Sequence, residues 1–237
     1  MTAGVRLAVW SGPRNISTAL MRAWENRPDT RVVDEPLYAY YLHETGLNHP
    51  GRDEVIAAGE TSWQVVVEQL TAPVDGVFYQ KHMAHHLLPQ LPRDWIPSLT
   101  NVLLIRDPVE VIASYLRSRA DVSVEDIGVV QQAALYEQLG ADVPVIDAAD
   151  FLGCPEAYLR WLCDHIGVAF TDRMLHWPAG PRDSDGVWAP YWYDAVLAST
   201  GFESYRPRTV DLAGPALDVA QQSRPHYERL YENRLQL

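Results

Sequence analysis

Five short apolar runs of strand length recur along the chain, at residues 6–10, 30–33, 77–80, 101–105 and 143–146. Between them lie segments with helical spacing, such as Ser-Thr-Ala-Leu-Met-Arg-Ala-Trp from residue 17 and Val-Glu-Val-Ile-Ala-Ser-Tyr-Leu from residue 109. Continuous apolar strands alternating with amphipathic helices predict a sheet covered on both faces and therefore mainly parallel. The expected fold class is α/β, a three-layer sandwich with a central sheet of about five strands flanked by helices. Residues 159–170 read as a helix stopped at Gly167, and a last helix is expected around residues 227–235. The stretch 177–193, dense in Gly, Pro and aromatic residues, reads as an ordered loop. Without a linker or low-complexity tract, residues 1–237 are expected to form a single domain.

The residues just past each strand carry a second pattern. Right-handed crossovers bring the carboxyl ends of parallel strands to one edge, where ligands of open α/β sheets bind. After the first run comes Ser11-Gly12-Pro13-Arg14-Asn15-Ile16-Ser17-Thr18, leading into a helix. Glu35 follows the second, Lys81 and His82 the third, and Arg106 the fourth. Ionisable residues after several strands in succession mark that edge as a site.

Two of these segments suit anions. A turn delivering a helix N-terminus presents unpaired N–H groups and the positive end of the helix dipole. Arg14, Ser17 and Thr18 add a charge and two hydroxyls there. In the other segment Asp107 is placed to cap a helix with Pro108 in its first turn. Ser114, eight residues after Arg106, comes two turns along that helix, and an Arg–Ser pair suits a phosphate monoester.

Charge and composition narrow the partners. A net charge of −12 argues against nucleic acid and anionic membranes, while leaving room for a small anion held by local charge. Eighteen of the nineteen basic residues are Arg, so Lys81 is the only lysine. The two cysteines, Cys154 and Cys163, read as buried thiols rather than a disulfide or a metal pair. With no apolar run of membrane length and no leader pattern, a cytoplasmic location is expected.

The paired loops resemble those of sulfotransferases that use 3'-phosphoadenosine 5'-phosphosulfate (PAPS), a family with a P-loop-type fold. Pro13-Arg14-Asn15-Ile16-Ser17-Thr18 is similar to the family's 5'-phosphosulfate loop, with Ile16 where a Gly is usual. Arg106 and Ser114 match its 3'-phosphate pair. Arg182-Asp183-Ser184-Asp185-Gly186-Val187-Trp188 resembles a shortened, acidic form of the late loop that closes over the 3'-phosphate. The chain is closer in these features to the small bacterial members than to the animal cytosolic enzymes.

The resemblance implies a PAPS-dependent transfer of a sulfuryl group to a hydroxyl or amine of a small acceptor, without a metal. It assigns cofactor binding to Gly12, Pro13, Arg14, Asn15, Ile16, Ser17, Thr18, Arg106, Ser114, Arg182 and Trp188. Arg14 is expected at the bridging oxygen and Lys81 at the transferred group. Glu35 and His82 compete for the role of base, with Glu35 favoured. Tyr38, Tyr40, Tyr41, Trp188, Tyr191, Trp192 and Tyr193 could wall an acceptor pocket.

Other functions remain open on the residues alone. The cluster His82, His85 and His86 keeps a metal site as an alternative. A P-loop kinase or nucleotide hydrolase requires a Gly-Lys-Ser/Thr ending that Ser17-Thr18-Ala19 lacks. A non-catalytic nucleotide-binding module of the same fold is the other rival.

Overall fold

The computed structural model describes residues 4–207 and 209–237. Five strands, β1 (Val5–Ser11), β2 (Thr30–Asp34), β3 (Val77–Met83), β4 (Thr100–Ile105) and β5 (Val145–Asp147), form one sheet in the order β2-β3-β1-β4-β5. Every pairing is parallel. The expected three-layer α/β arrangement is therefore the observed one.

Successive side chains in a strand point to opposite faces, and the two cores divide accordingly. Leu7 and Val9 of β1 join one cluster, Ala8 and Trp10 the other. Val102 and Leu104 of β4 separate in the same way from Leu103 and Ile105. The first core is covered by α1 (Ser17–Glu25), α8 (Ala148–Gly153) and α9 (Pro155–His165). The second is covered by α4 (Trp63–Thr71), α5 (Pro108–Tyr115), α7 (Val129–Leu139) and α12 (Pro215–Glu232). Between β2 and β3, α2 (Tyr38–Thr45) and α3 (Arg52–Ala58) pack around Tyr38, Tyr41, Leu42 and Val55 as a satellite core. Short helices α6 (Val124–Ile127), α10 (Ala189–Trp192) and α11 (Asp194–Ala198) complete the set.

Local chemistry sets several boundaries. Asp107 caps α5 by accepting from the N–H of Val109 at 2.8 Å, with Pro108 behind it. Ser123 and Asp126 form a reciprocal capping box on α6. Pro155 opens α9, so that helix starts four residues before the apolar spacing reveals it, and it ends at His165. The last helix likewise begins at Pro215. It carries Pro225 inside, past its midpoint, which hides the helical period in the sequence. Pro144 delays β5 by two residues.

One shift matters for function. β3 runs on through Met83, so Lys81 and His82 lie inside the strand rather than beyond it. Cys154 and Cys163 are free thiols, Cys163 buried and Cys154 half-buried. No helix among the described residues is long and apolar enough to cross a membrane.

Candidate active site

The opening turn is built by close approach. A Cβ on Gly12 would meet the carbonyl oxygen of Ile127 at 2.3 Å, so Gly12 is required for packing rather than as a wall of the site. Arg14 follows with φ of 53°, in the left-handed region that a non-glycine residue enters at a cost of about 1–3 kcal/mol. The Asn15 amide donates to the Leu104 carbonyl at 2.9 Å, and its oxygen accepts from the Ile16 N–H at 2.8 Å. These bonds tie the turn to β4. Ile16 packs against the core beneath α1 and also lines the cavity. No side chain caps α1, and its first turn carries no acidic residue. Its amides are thus free for an anion, with Ser17 and Thr18 on the same cavity wall.

The second cradle faces the first. Arg106 donates from Nη1 to the Arg14 carbonyl at 2.9 Å, and from Nε and Nη2 to Glu110 at 2.9 and 2.8 Å. Tyr205 holds the other oxygen of Glu110 at 2.5 Å. Arg14 closes the circuit, donating from Nε to Ser114 Oγ at 3.1 Å and from Nη1 to the Trp192 carbonyl at 3.0 Å. Burial, then the neighbouring guanidiniums of Arg117 and Arg106, lowers the Arg14 pKa from its ordinary value. Positive charge is therefore gathered at one place in an acidic chain. The cavity it serves has a volume of about 420 Å³.

Beside this basic end sits a buried carboxylate. Glu35 leaves β2 with φ of 42°, the only other non-glycine residue at positive φ among those described. Lys81, with its side chain 1% exposed, donates to Asp34 at 2.7 Å, to Glu35 at 2.6 Å and to the Tyr193 hydroxyl at 2.8 Å. Tyr193 in turn donates to Asp34 at 2.6 Å. All three N–H bonds of the ammonium are committed. Lys81 thus holds Glu35, and is not free to reach a transferred group. Burial raises the Glu35 pKa above the usual carboxylate range, against the opposing pull of Lys81 and with the aid of Asp34.

Strand alternation corrects the expectation for His82. Lys81 and Met83 share the face that looks into the cavity, and His82 takes the other. There it stacks on Trp10 with ring centroids 4.0 Å apart and meets Gln80 at 3.2 Å. Burial pushes its pKa down to about 3. His82 belongs to the core beneath the sheet and is no base for this cavity.

The late loop also differs from expectation. Arg182 donates its N–H to Asp185, Asp185 pairs with the buried Arg22 of α1 at 2.6 Å, and Ser184 donates to Glu25 at 2.5 Å. The segment is pinned to α1, which accounts for Asp185, and Arg182 does not line the cavity. Trp188 lies edge-on to Tyr38 at 5.2 Å and donates to the Tyr193 hydroxyl at 3.1 Å. It buttresses the Glu35 network and makes no wall for a base to stack on. Residues further on, Ser204, Tyr205 and Arg206, line the cavity instead.

The end of the cavity near Glu35 is walled by Tyr38, His49, Met83, His85, His86 and Tyr115. Of the cavity residues, His49, Tyr115, Arg117 and Arg206 escape a reading of the sequence. Arg117 carries the one usable signal, since it follows Ser114 by a helical turn. His49 comes from an irregular connection and carries none. Burial lowers the pKa of His85 to about 3 and of His49 to about 4, so these rings are neutral. Among the described residues no His, Cys, Asp and Glu group is arranged to hold a metal ion.

The two basic ends of the cavity suit an elongated anion gripped at two points. A family model described as Sulfotransferase domain matches residues 5–231. Two Arabidopsis thaliana proteins, Branched-chain-amino-acid aminotransferase-like protein 1 and protein 2, are 38% and 35% identical over 228 residues, 93% of this chain. The chain spans 40% of the length of either. Among solved structures, a sulfotransferase domain from the curacin biosynthetic pathway has a TM-score of 0.53 at 17% identity, covering 92% of this chain and 97% of that one. A sulfotransferase from Alicyclobacillus acidocaldarius gives 0.53 at 14% identity, with 96% and 94% covered. A mouse sulfotransferase complexed with PAP gives 0.50 at 12%, with 97% and 83% covered. At these identities the structures speak for the fold alone. With the family model spanning nearly the whole chain, the protein belongs to the sulfotransferase domain family.

Proposed function

We propose that this chain binds PAPS and transfers its sulfuryl group to a hydroxyl of a small acceptor. The observation that carries the reading is the convergence of two anion cradles, one at Arg14 and α1, one at Arg106 and Ser114, on a cavity that also holds Glu35. PAPS supplies the sulfuryl donor and a leaving 3'-phosphoadenosine 5'-phosphate (PAP). Arg106, Ser114 and Arg206 would hold its 3'-phosphate, while the α1 amides, Ser17, Thr18 and Arg14 would hold the 5'-phosphosulfate. Arg14, fixed by Ser114 and Trp192, offsets the charge that develops on the leaving oxygen. Glu35 takes the acceptor's proton as the new oxygen–sulfur bond forms. Its raised pKa suits that role, because a more basic carboxylate is the better proton acceptor. Lys81 and Tyr193 position it without touching the acceptor.

The aminotransferase-like name of the plant proteins does not extend to this chemistry. Aminotransferase chemistry needs a Schiff-base lysine, and Lys81, the only lysine, is consumed by Asp34, Glu35 and Tyr193. The free thiols support a reducing, cytoplasmic setting, and on this reading residues 1–237 form one domain.

Thermal denaturation with PAP, followed by turnover of radiolabelled PAPS with an extract of small molecules, tests the reading. PAP should raise the melting temperature by several degrees, and label should move to a product. Binding of Mg²⁺-ATP in preference to PAP would replace this function with a kinase-like one. PAP binding without transfer to any acceptor would make the chain a binding module.

A further inference from the structure

The acceptor end of the cavity contains polar atoms that the protein itself leaves without partners. Both ring nitrogens of His86 and Nε2 of His49 are buried and make no hydrogen bond. The two residues are 1% and 5% exposed, yet both line the cavity. Leaving a buried polar group unpaired costs about 1–3 kcal/mol, so these three atoms, with the likewise unpartnered Nδ1 of His85, form a standing demand for a ligand.

The rings are also held still. His86 stacks on Tyr38 with centroids 4.8 Å apart and planes 6° from parallel, and Tyr41 flanks it at 4.7 Å. His49 meets the Tyr38 hydroxyl through Nδ1 at 2.9 Å, which leaves Nε2 as its open atom. A neutral imidazole offers one donor and one acceptor, the complement of a hydroxyl group.

Burial at these rings disfavours a charged ligand of either sign. His49, His85 and His86 are kept neutral by burial, and a charged group entering the same space meets the same penalty. The Asp34–Lys81–Glu35 group is hydrogen-bonded within itself, with one negative charge in excess when Glu35 is ionised. Beyond it, Arg119 and Asp126 act on His49 in opposite directions.

Resting on the sulfotransferase reading, we infer that His86 and His49 form a subsite for a second hydroxyl of the acceptor. The acceptor is an uncharged alcohol or phenol that offers one hydroxyl to Glu35 and at least one more to these imidazoles. The two residues set specificity and take no part in the chemistry.

Phenol, with one hydroxyl, is compared with catechol, resorcinol and hydroquinone, which carry a second at three spacings. The charged probes are 4-hydroxybenzoate and tyramine. Binding is measured calorimetrically on the PAP-loaded full chain, and kcat/KM by release of PAP. At least one diol should bind and turn over about tenfold better than phenol, the worth of one hydrogen bond to a buried group. Both charged probes should be weaker than that diol. In His86→Phe, which keeps the stack on Tyr38, the preference should fall below threefold while the Kd for PAP is unchanged. Equal affinity for phenol and every diol overturns the inference, as does a charged probe that binds best. A preference that survives in both His86→Phe and His49→Phe also overturns it. A wild-type protein that fails to bind PAP overturns the parent reading and this one with it. PAP binding without a diol preference overturns this one alone.

Discussion

Arg14 Nε donates to Ser114 Oγ at 3.1 Å, so the loop after β1 and the helix after β4 meet through one hydrogen bond. A serine hydroxyl can accept and donate at once, and here it only accepts. Its O–H stays free for the phosphate oxygen that the proposal places there. The contact therefore aligns the two cradles without using up the donor that the second needs.

Replacing Ser114 by Ala removes that donor and loosens Arg14. A hydrogen bond to a charged group is worth about 1.5–3 kcal/mol, so the Kd for PAP should rise at least about tenfold. Isothermal calorimetry reads it directly. An unchanged Kd would place the 3'-phosphate elsewhere.

Glu35→Gln should lower turnover at least about 100-fold with PAP binding intact. His82→Phe, which preserves the stack on Trp10, should leave turnover within about threefold of wild type because His82 faces the opposite core. The reverse result would restore His82 as the base.

The raised pKa of Glu35 has two readable consequences of known sign. Activity requires the carboxylate, so kcat/KM should rise with pH through a midpoint above the ordinary 4.5. Stability runs the other way. Burial favours the neutral acid in the folded state, so wild type loses stability as pH rises through the folded-state pKa. Glu35→Gln should therefore melt higher than wild type at pH 8, and the gain should shrink as pH falls.

Arg22→Met strands Asp185, whose partner is 1% exposed and which is itself 5% exposed. Breaking a buried pair in this way costs about 3–5 kcal/mol. Urea denaturation should show that loss, and the double change Arg22→Met, Asp185→Leu should recover most of it.

Gly12→Ala drives a methyl group into the Ile127 carbonyl. The turn must shift, and PAP binding should fall with it. Far-ultraviolet circular dichroism should stay near wild type if only the turn moves.

Much of the molecule can be read from residues alone. The period of apolar runs reveals the parallel sheet, because strands buried on both faces must be apolar throughout. The spacing from Arg106 to Ser114 and the Ser-Thr start of α1 place both cradles, because each is local to one strand–helix junction. Errors cluster where a residue's face or a distant partner decides. His82 and Lys81 are neighbours in sequence, and only the length of β3 tells which one looks into the cavity. The acidic residues of 182–188 look like a defective phosphate loop until Arg22, far off in α1, is seen to pair with Asp185.

The linear order of amino acids thus settled the layered fold and the two strand–helix turns that the proposal assigns to an anion, since backbone period, caps and strand-end chemistry act over a few residues. Tertiary structure alone decided that Lys81 clamps Glu35, that Tyr193 completes the clamp, and that His49 and His86 share a wall. Those relations depend on which side chains lose water together, and segments remote in sequence contribute to that loss jointly.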